Sequence, residues 1–205
     1  MSKVSKMVSL LLVVVMVVGV ALTAVAAESA KAKTDEEKAQ EVASQVSSDV
    51  QSEGSATVAA ITDTATLAKA YDMSMEADAT LASIEGQFTE KPQVVGTLLF
   101  DVSGVTSGDV TIKASSSYAN KLAIASHYNT KTGQVEVMKD LVQFDAQGRA
   151  TVSFSSYSPV MIKVLNVTRD ALKADATVGV KSVNLAAPQV DASSTATAKT
   201  AKMGE

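Results

Sequence analysis

Between residues 94 and 165 the chain falls into short apolar runs, each closed by a turn signal. The runs are Val94–Val102, Val110–Ile112, Leu122–Tyr128, Val135–Met138, Leu141–Phe144, Ala150–Phe154 and Val160–Leu165. Asn129–Gly133 has the composition of a hairpin turn in which Gly133 takes positive φ, and Asp145–Arg149 reads as a second turn. Many short strands with turn signals at intervals of about 8–12 residues predict a sandwich or barrel. The expected fold is therefore mostly β, an Ig-like antiparallel β-sandwich over residues 70–165, with an added edge strand drawn from Val178, Val180, Val183 and Leu185.

The aromatic residues set the limits of the packed unit. All eight, four Phe and four Tyr, lie between Tyr71 and Tyr157. Aromatic side chains dominate core burial, so the flanks should pack more thinly. A core of this size is adequate but not generous. The chain has no cysteine, so sheet hydrogen bonds and packing must do what disulfides do in many small exported domains. The same absence excludes thiol catalysis, a lipid anchor on cysteine and any Cys-based metal site.

Compartment is written at the N-terminus. Lys3 and Lys6 precede an uncharged stretch from Met7 to Ala27 that closes on Ala24-Val25-Ala26. A basic region, an apolar region and a small-x-small site form a secretory signal. Residues 1–27 are therefore expected to be a signal peptide, and the protein secreted or displayed at the cell surface. About 20 apolar residues can also span a bilayer. A membrane partnership follows only if this segment is retained, and Gly19 with the Ala-rich end favours cleavage. The remainder carries 16 Lys and Arg against 22 Asp and Glu, a net charge of −6. An acidic chain without a basic cluster argues against nucleic acid as a partner.

Residues 28–69 have no aromatic residue and read as a helical or flexible spacer. Thr34-Asp35-Glu36-Glu37 has the form of a capping box, and Ala39, Val42, Ala43, Val46 and Val50 follow at helical spacing. From Tyr71 the period changes. Tyr71, Met73, Met75 and Ala77 alternate with Asp72, Ser74, Glu76 and Asp78, which predicts a half-buried strand. No helical periodicity is expected in 71–165. Residues 186–205 are rich in Ala, Ser, Thr and Lys and are expected to be a disordered tail.

Three groups of residues carry a likeness to known modules. They are His127-Tyr128-Asn129, Thr132-Gly133-Gln134-Val135-Glu136-Val137 and Phe154-Ser155-Ser156-Tyr157-Ser158-Pro159. This pattern resembles β-sandwich modules of exported and cell-surface proteins from Gram-positive, clostridia-like bacteria. There a histidine-aromatic-asparagine group enters a Thr-Gly hairpin, and a Phe-Ser-x-x-Ser-Pro segment introduces the last strand. Tyr71-Asp72-Met73-Ser74 resembles their first strand. The likeness implies a β-sandwich fold and brings no catalytic residues with it. This chain holds one such module, and it ends at Glu205 without the wall-sorting motif many such proteins carry.

Candidate chemistry is sparse. His127 is the only histidine. It is open to use as a general base but stands where a strand meets a turn, which suits a structural role. One histidine and no cysteine leave no zinc site. Asp101, Asp109 and Asp145 fall in turns or at strand ends, and no Ca²⁺-loop spacing joins them. Tyr71, Tyr118, Tyr128 and Tyr157 could stack on sugars, without a Trp to lead them. Ser158-Pro159 suits strand entry, and Asn166-Val167-Thr168 is a sequon read as chance. No catalytic, metal or cofactor-binding residue is assigned. The expectation is an exported, non-enzymatic structural or adhesive module whose partner is an extracellular protein or glycan. The alternatives are a glycan- or peptide-binding module and, third, a small hydrolase built on His127.

Overall fold

The computed structural model describes residues 32–183, apart from positions 55 and 158. The signal peptide expected at 1–27 and the tail expected at 186–205 lie outside the described residues. The elements run in the order α1 (Asp35–Ala43), β1 (Gln51–Glu53), β2 (Thr57–Ala59), α2 (Thr64–Ile84), β3 (Val94–Ser103), β4 (Gly108–Lys113), β5 (Lys121–Asn129), β6 (Gln134–Val137), β7 (Leu141–Gln143), β8 (Arg149–Phe154), β9 (Val160–Thr168) and β10 (Val180–Lys181). Three strands form one sheet in the order β1-β4-β8. Seven form the other, ordered β10-β7-β5-β9-β3-β2, with β6 pairing to β5 beside β7. The fold is the mostly β, two-sheet sandwich that the strand pattern predicts. Its pairings are antiparallel except that of β10 with β7, which is parallel.

Alternation along β9 explains how the layers are filled. Val160, Ile162 and Val164 face the small sheet and join Val110, Ile112, Val152, Phe100 and Phe144 in the sandwich core. Met161 and Leu165 belong to two further clusters that face the helices. The large sheet is thus covered on both faces, by the second sheet on one and by α2 on the other. A strand covered on both faces reads as a continuous apolar run rather than an alternating one, as Val160–Leu165 does.

Residues 71–78 are not a strand. They form the middle of α2, a 21-residue helix capped by Asp63, whose carboxylate accepts the Thr66 N–H at 2.9 Å. Its buried positions are Leu67, Ala68, Ala70, Met73 and Ala77, of which Ala70, Met73 and Ala77 follow helical spacing. Met75, which the period-two pattern placed inward beside Met73, is 53% exposed. Strong helix formers (Ala, Leu, Met, Lys) fill this segment, with few β-branched residues to oppose them. The likeness of Tyr71–Ser74 to a first strand fails for the same reason.

Helix α1 has the expected capping box. Thr34 Oγ1 accepts from Glu37 N, and the Glu37 carboxylate accepts from Thr34 N. It stops at Ala43, short of the predicted Val46 and Val50, because Ser47 is drawn into a bridge with Leu98 of β3. Ser47 N donates to Thr97 O at 2.8 Å and accepts Leu99 N at 3.0 Å through its carbonyl. The stretch expected as a spacer also supplies β1 and β2, each an edge strand of a sheet. Both predicted turns form, with Gly133 at φ 70° and Gly148 at φ 75°. Of the edge strand expected from Val178, Val180, Val183 and Leu185, a two-residue strand forms, β10 at Val180–Lys181. Val178 and Val183 lie outside it, and Leu185 lies outside the described residues.

Candidate functional site

The motif residues quoted above converge at one end of the sandwich. His127 is fully buried near the end of β5, with its ring 5.1 Å from that of Phe154. Nδ1 lies 3.3 Å from the Pro159 carbonyl and Nε2 lies 3.0 Å from Ser156 Oγ. A carbonyl oxygen only accepts, so Nδ1 carries the proton and Nε2 accepts from the Ser156 hydroxyl. Burial lowers the His127 pKa below its ordinary 6.5, opposed by the Pro159 carbonyl and the nearby Glu136 carboxylate. The ring is therefore neutral at neutral pH, the state in which both bonds can form.

Glu136 stands opposite His127 in the β5–β6 register. Its carboxylate accepts from Asn129 Nδ2 at 2.7 Å and from Ser155 Oγ at 3.2 Å. Asn129 in turn accepts the Lys131 and Thr132 amides at 3.0 and 3.3 Å. The Tyr157 hydroxyl lies against the carbonyls of Gly108 and Val152, and burial pushes its pKa up to about 12. These contacts tie the β5–β6 hairpin to the segment between β8 and β9. The His-Tyr-Asn and Phe-Ser-x-x-Ser-Pro motifs are therefore two halves of one clasp. Ser158 lies outside the described residues, while Pro159 is buried at the entry to β9.

Beside the clasp is an open groove of about 460 Å³, lined by Glu136–Asp140 on one side, Ser153–Ser155 on the other and Lys181 at one end. Hydroxyls, carboxylates and lysines share this lining. Lys181 is held by Asp109 of β4, and this pairing lowers the Asp109 pKa.

Other predicted candidates are dispersed. The Asp145 carboxylate accepts from Gln147 N at 2.8 Å, Arg149 N at 2.9 Å and Arg149 Nε at 2.7 Å, the turn-stabilising role expected of it. Asp101 binds the following amide, Val102 N, at 2.9 Å. Among the described residues no group of three His, Cys, Asp or Glu could hold a metal ion. Tyr118 and Tyr157 pack on the sandwich core, whereas Tyr71 and Tyr128 pack on the helix-facing core, so the four make no common platform. Asn166 fastens β9 to the start of β3, with its Oδ1 accepting Gln93 N at 2.8 Å.

Sequence reasoning missed Lys163. It lies in the middle of β9 and is only 5% exposed, with Nζ donating to Ser74 O at 3.1 Å and to Asp78 Oδ1. Its signal was a lone charge inside an apolar run. It also missed Ser126, a fully buried residue whose hydroxyl has no hydrogen-bond partner among the described residues. Ser126 is in register with Met161 and so sits on the α2 side of the sheet. No helix among the described residues is long and apolar enough to cross a membrane. No protein-family model, curated protein or solved structure matches this chain.

Proposed function

We propose that this protein is an exported, non-enzymatic β-sandwich module that acts structurally or adhesively at the bacterial cell envelope or outside it. One observation supports the reading above others. The only histidine has both ring nitrogens committed to joining β5 to the segment before β9. A residue so used is a fastener of the fold, and the motif that resembles Gram-positive surface modules consists of such fasteners. The leader at 1–27 supplies the route out of the cell. Fractionation with N-terminal sequencing is the direct test. The expected mature form begins at Ala27 or Glu28 and is found outside the cytoplasm. An intact N-terminus on a cytoplasmic protein overturns the reading.

The hydrolase alternative draws on one contact, Ser156 Oγ to His127 Nε2 at 3.0 Å. A Ser-His pair is ordinarily oriented by a carboxylate on Nδ1, and here a main-chain carbonyl occupies that place. A screen with chromogenic esters and peptides should show no turnover. Turnover abolished by Ser156→Ala, with the fold retained, would reverse the assignment.

A further inference from the structure

We infer that the outer edge of β6 takes up an extended peptide segment of a partner protein by strand addition, with the groove beneath it receiving one basic side chain. The inference rests on the interaction-module reading above and supplies its site.

Strands β6 and β7 lie on the same side of β5, paired to Ser126–Asn129 and to Leu122–Ala123 respectively. They behave as one edge interrupted at Lys139-Asp140. Half of that edge is already completed, because β10 adds in parallel to Leu141 and Val142 of β7. The chain reaches β10 only at Gly179, whose carbonyl accepts Leu141 N at 2.9 Å. Before that point Gln87 holds it away from β6, its side-chain oxygen accepting Thr177 N at 2.8 Å and Val178 N at 2.9 Å. The β6 half has no strand partner but β5 among the described residues.

The backbone of β6 identifies the occupant. Successive residues of a strand direct their N–H and C=O groups to opposite sides. Met138 N donates to Ala125 O at 2.9 Å, so Glu136 and Gln134 also turn toward β5. Val135 and Val137 therefore present their donors and acceptors to the open side. A row of alternating main-chain donors and acceptors is complementary to an extended polypeptide. The opposite wall of the groove, Ser153–Ser155, lies at the end of β8, itself an edge strand paired only with β4 among the described residues.

Side-chain direction sets the preference. A residue placed opposite Glu136 points to the same face as Glu136, which is the groove. There it stands directly across from the Glu136 carboxylate, with Asp140, Ser153 and Ser155 also in the lining. Of the two lysines that share the groove, Lys139 and Lys181, the second is already paired with Asp109, so the cross-strand pairing with Glu136 sets the preference. Lys or Arg suits that position. A second copy pairing its own β6 here, centred on Glu136, would set two carboxylates directly opposite, which is destabilising. The last described residue, Val183, lies beside Gln143–Ala146, at the end of β7 away from β6.

Amide hydrogen exchange on the full chain tests the edge without a ligand. Val135 and Val137 should exchange faster than Glu136 and Met138, by a factor on the order of ten or more. Equal protection of all four would overturn the site. A linear peptide library displayed on phage, selected on the same protein, tests the occupant. Selected peptides should carry a basic residue, protect Val135 and Val137 from exchange, and bind Val137→Pro about tenfold or more weakly. Proline removes only the outward donor, a change an edge strand tolerates. Val135→Pro is the second variant, and an unchanged near-UV spectrum certifies either fold. Failure to select peptides, protection elsewhere, or undiminished binding to both variants would sink the proposal. So would protection at Val135 and Val137 that disappears on removing residues 186–205 or on dilution, because the occupant would then be the tail or a second copy. Glycan binding that leaves these amides unprotected also counts against it. Loss of export or a hydrolytic activity would instead overturn the module reading and leave the exchange pattern unchanged.

Discussion

His127 shows how much one residue contributes to this fold. Its neutral ring bridges Ser156 and Pro159 from a buried position, and burial lowers its pKa from 6.5. A histidine with a lowered folded-state pKa binds fewer protons folded than unfolded, so stability rises with pH across that interval. Its contribution is fully present above the unfolded value and is lost as pH falls toward the folded one. Urea midpoints should therefore drop from about pH 7.5 to about pH 5.5, and His127→Ala should be less stable at the upper pH with a shallower drop. An equal drop in both would assign the slope to other groups. The turn glycines make a second residue-scale comparison. A Cβ on Gly148 would stand 2.8 Å from Ser115 O and 3.0 Å from Ala114 O at φ 75°. Gly133 has a similar φ, but its nearest atom, Tyr128 Oη, is 3.7 Å away. Gly148→Ala should cost about 1–3 kcal/mol and Gly133→Ala about 1 kcal/mol, read from chemical denaturation. Both glycines were legible as turn residues. Their different sensitivity was not, because the carbonyls that crowd Gly148 come from residues 114 and 115.

Among the elements, α2 is the one on which sequence reasoning and structure part, whereas β9 forms as the expected strand. A two-residue alternation of Tyr71, Met73, Met75 and Ala77 is compatible with a helix as well, since Met73 and Ala77 are also four apart. Asp63 as an N-cap and the buried Leu67 and Ala70 decide for the helix, and both precede the window that suggested a strand. Lys163 then joins the two elements, with its side chain 7% exposed against Asp78 at 51%. Removing Asp78 leaves the buried Lys163 ammonium without its counter-charge, whereas removing Lys163 leaves a carboxylate that water can reach. Asp78→Ala should cost about 1–3 kcal/mol, whereas Lys163→Met should be at least as stable as the natural chain. Equilibrium urea unfolding distinguishes these outcomes, and a neutral Asp78→Ala would mean that the Ser74 carbonyl alone suffices for the lysine. A lone charge in an apolar run marked Lys163 as unusual. Its partners, 85 and 89 residues away in sequence, belong to a helix the strand reading had removed.

For the whole molecule, the consequence is that the sandwich does not begin at residue 70. Ala39 and Val42 of α1 and Leu67 of α2 cover Leu99 and Met161 of the large sheet, while β2 completes the β3 edge at Asp101–Ser103. A fragment of residues 70–165 loses α1, β1, β2, the first six residues of α2, the end of β9 and β10 together. It should show no cooperative thermal transition, whereas residues 33–183 should unfold in a single one. A cooperative 70–165 fragment would return the N-terminal stretch to the status of a spacer.

Local chemistry was enough to determine most of the strands, both turns and the α1 capping box, because period-two runs, positive-φ glycines and capping pairs act within a few residues of chain. The resemblance to surface modules, rather than local chemistry, drew attention to His127, Asn129, Ser156 and Pro159. Only the tertiary structure decided that those residues close into one clasp, that α2 is a helix covering the second face of the large sheet, and that the β6 half of the β6–β7 edge has no strand partner but β5 among the described residues. Each of those outcomes depends on contacts between segments tens of residues apart, and burial on two faces erases the periodicity from which a sequence is read.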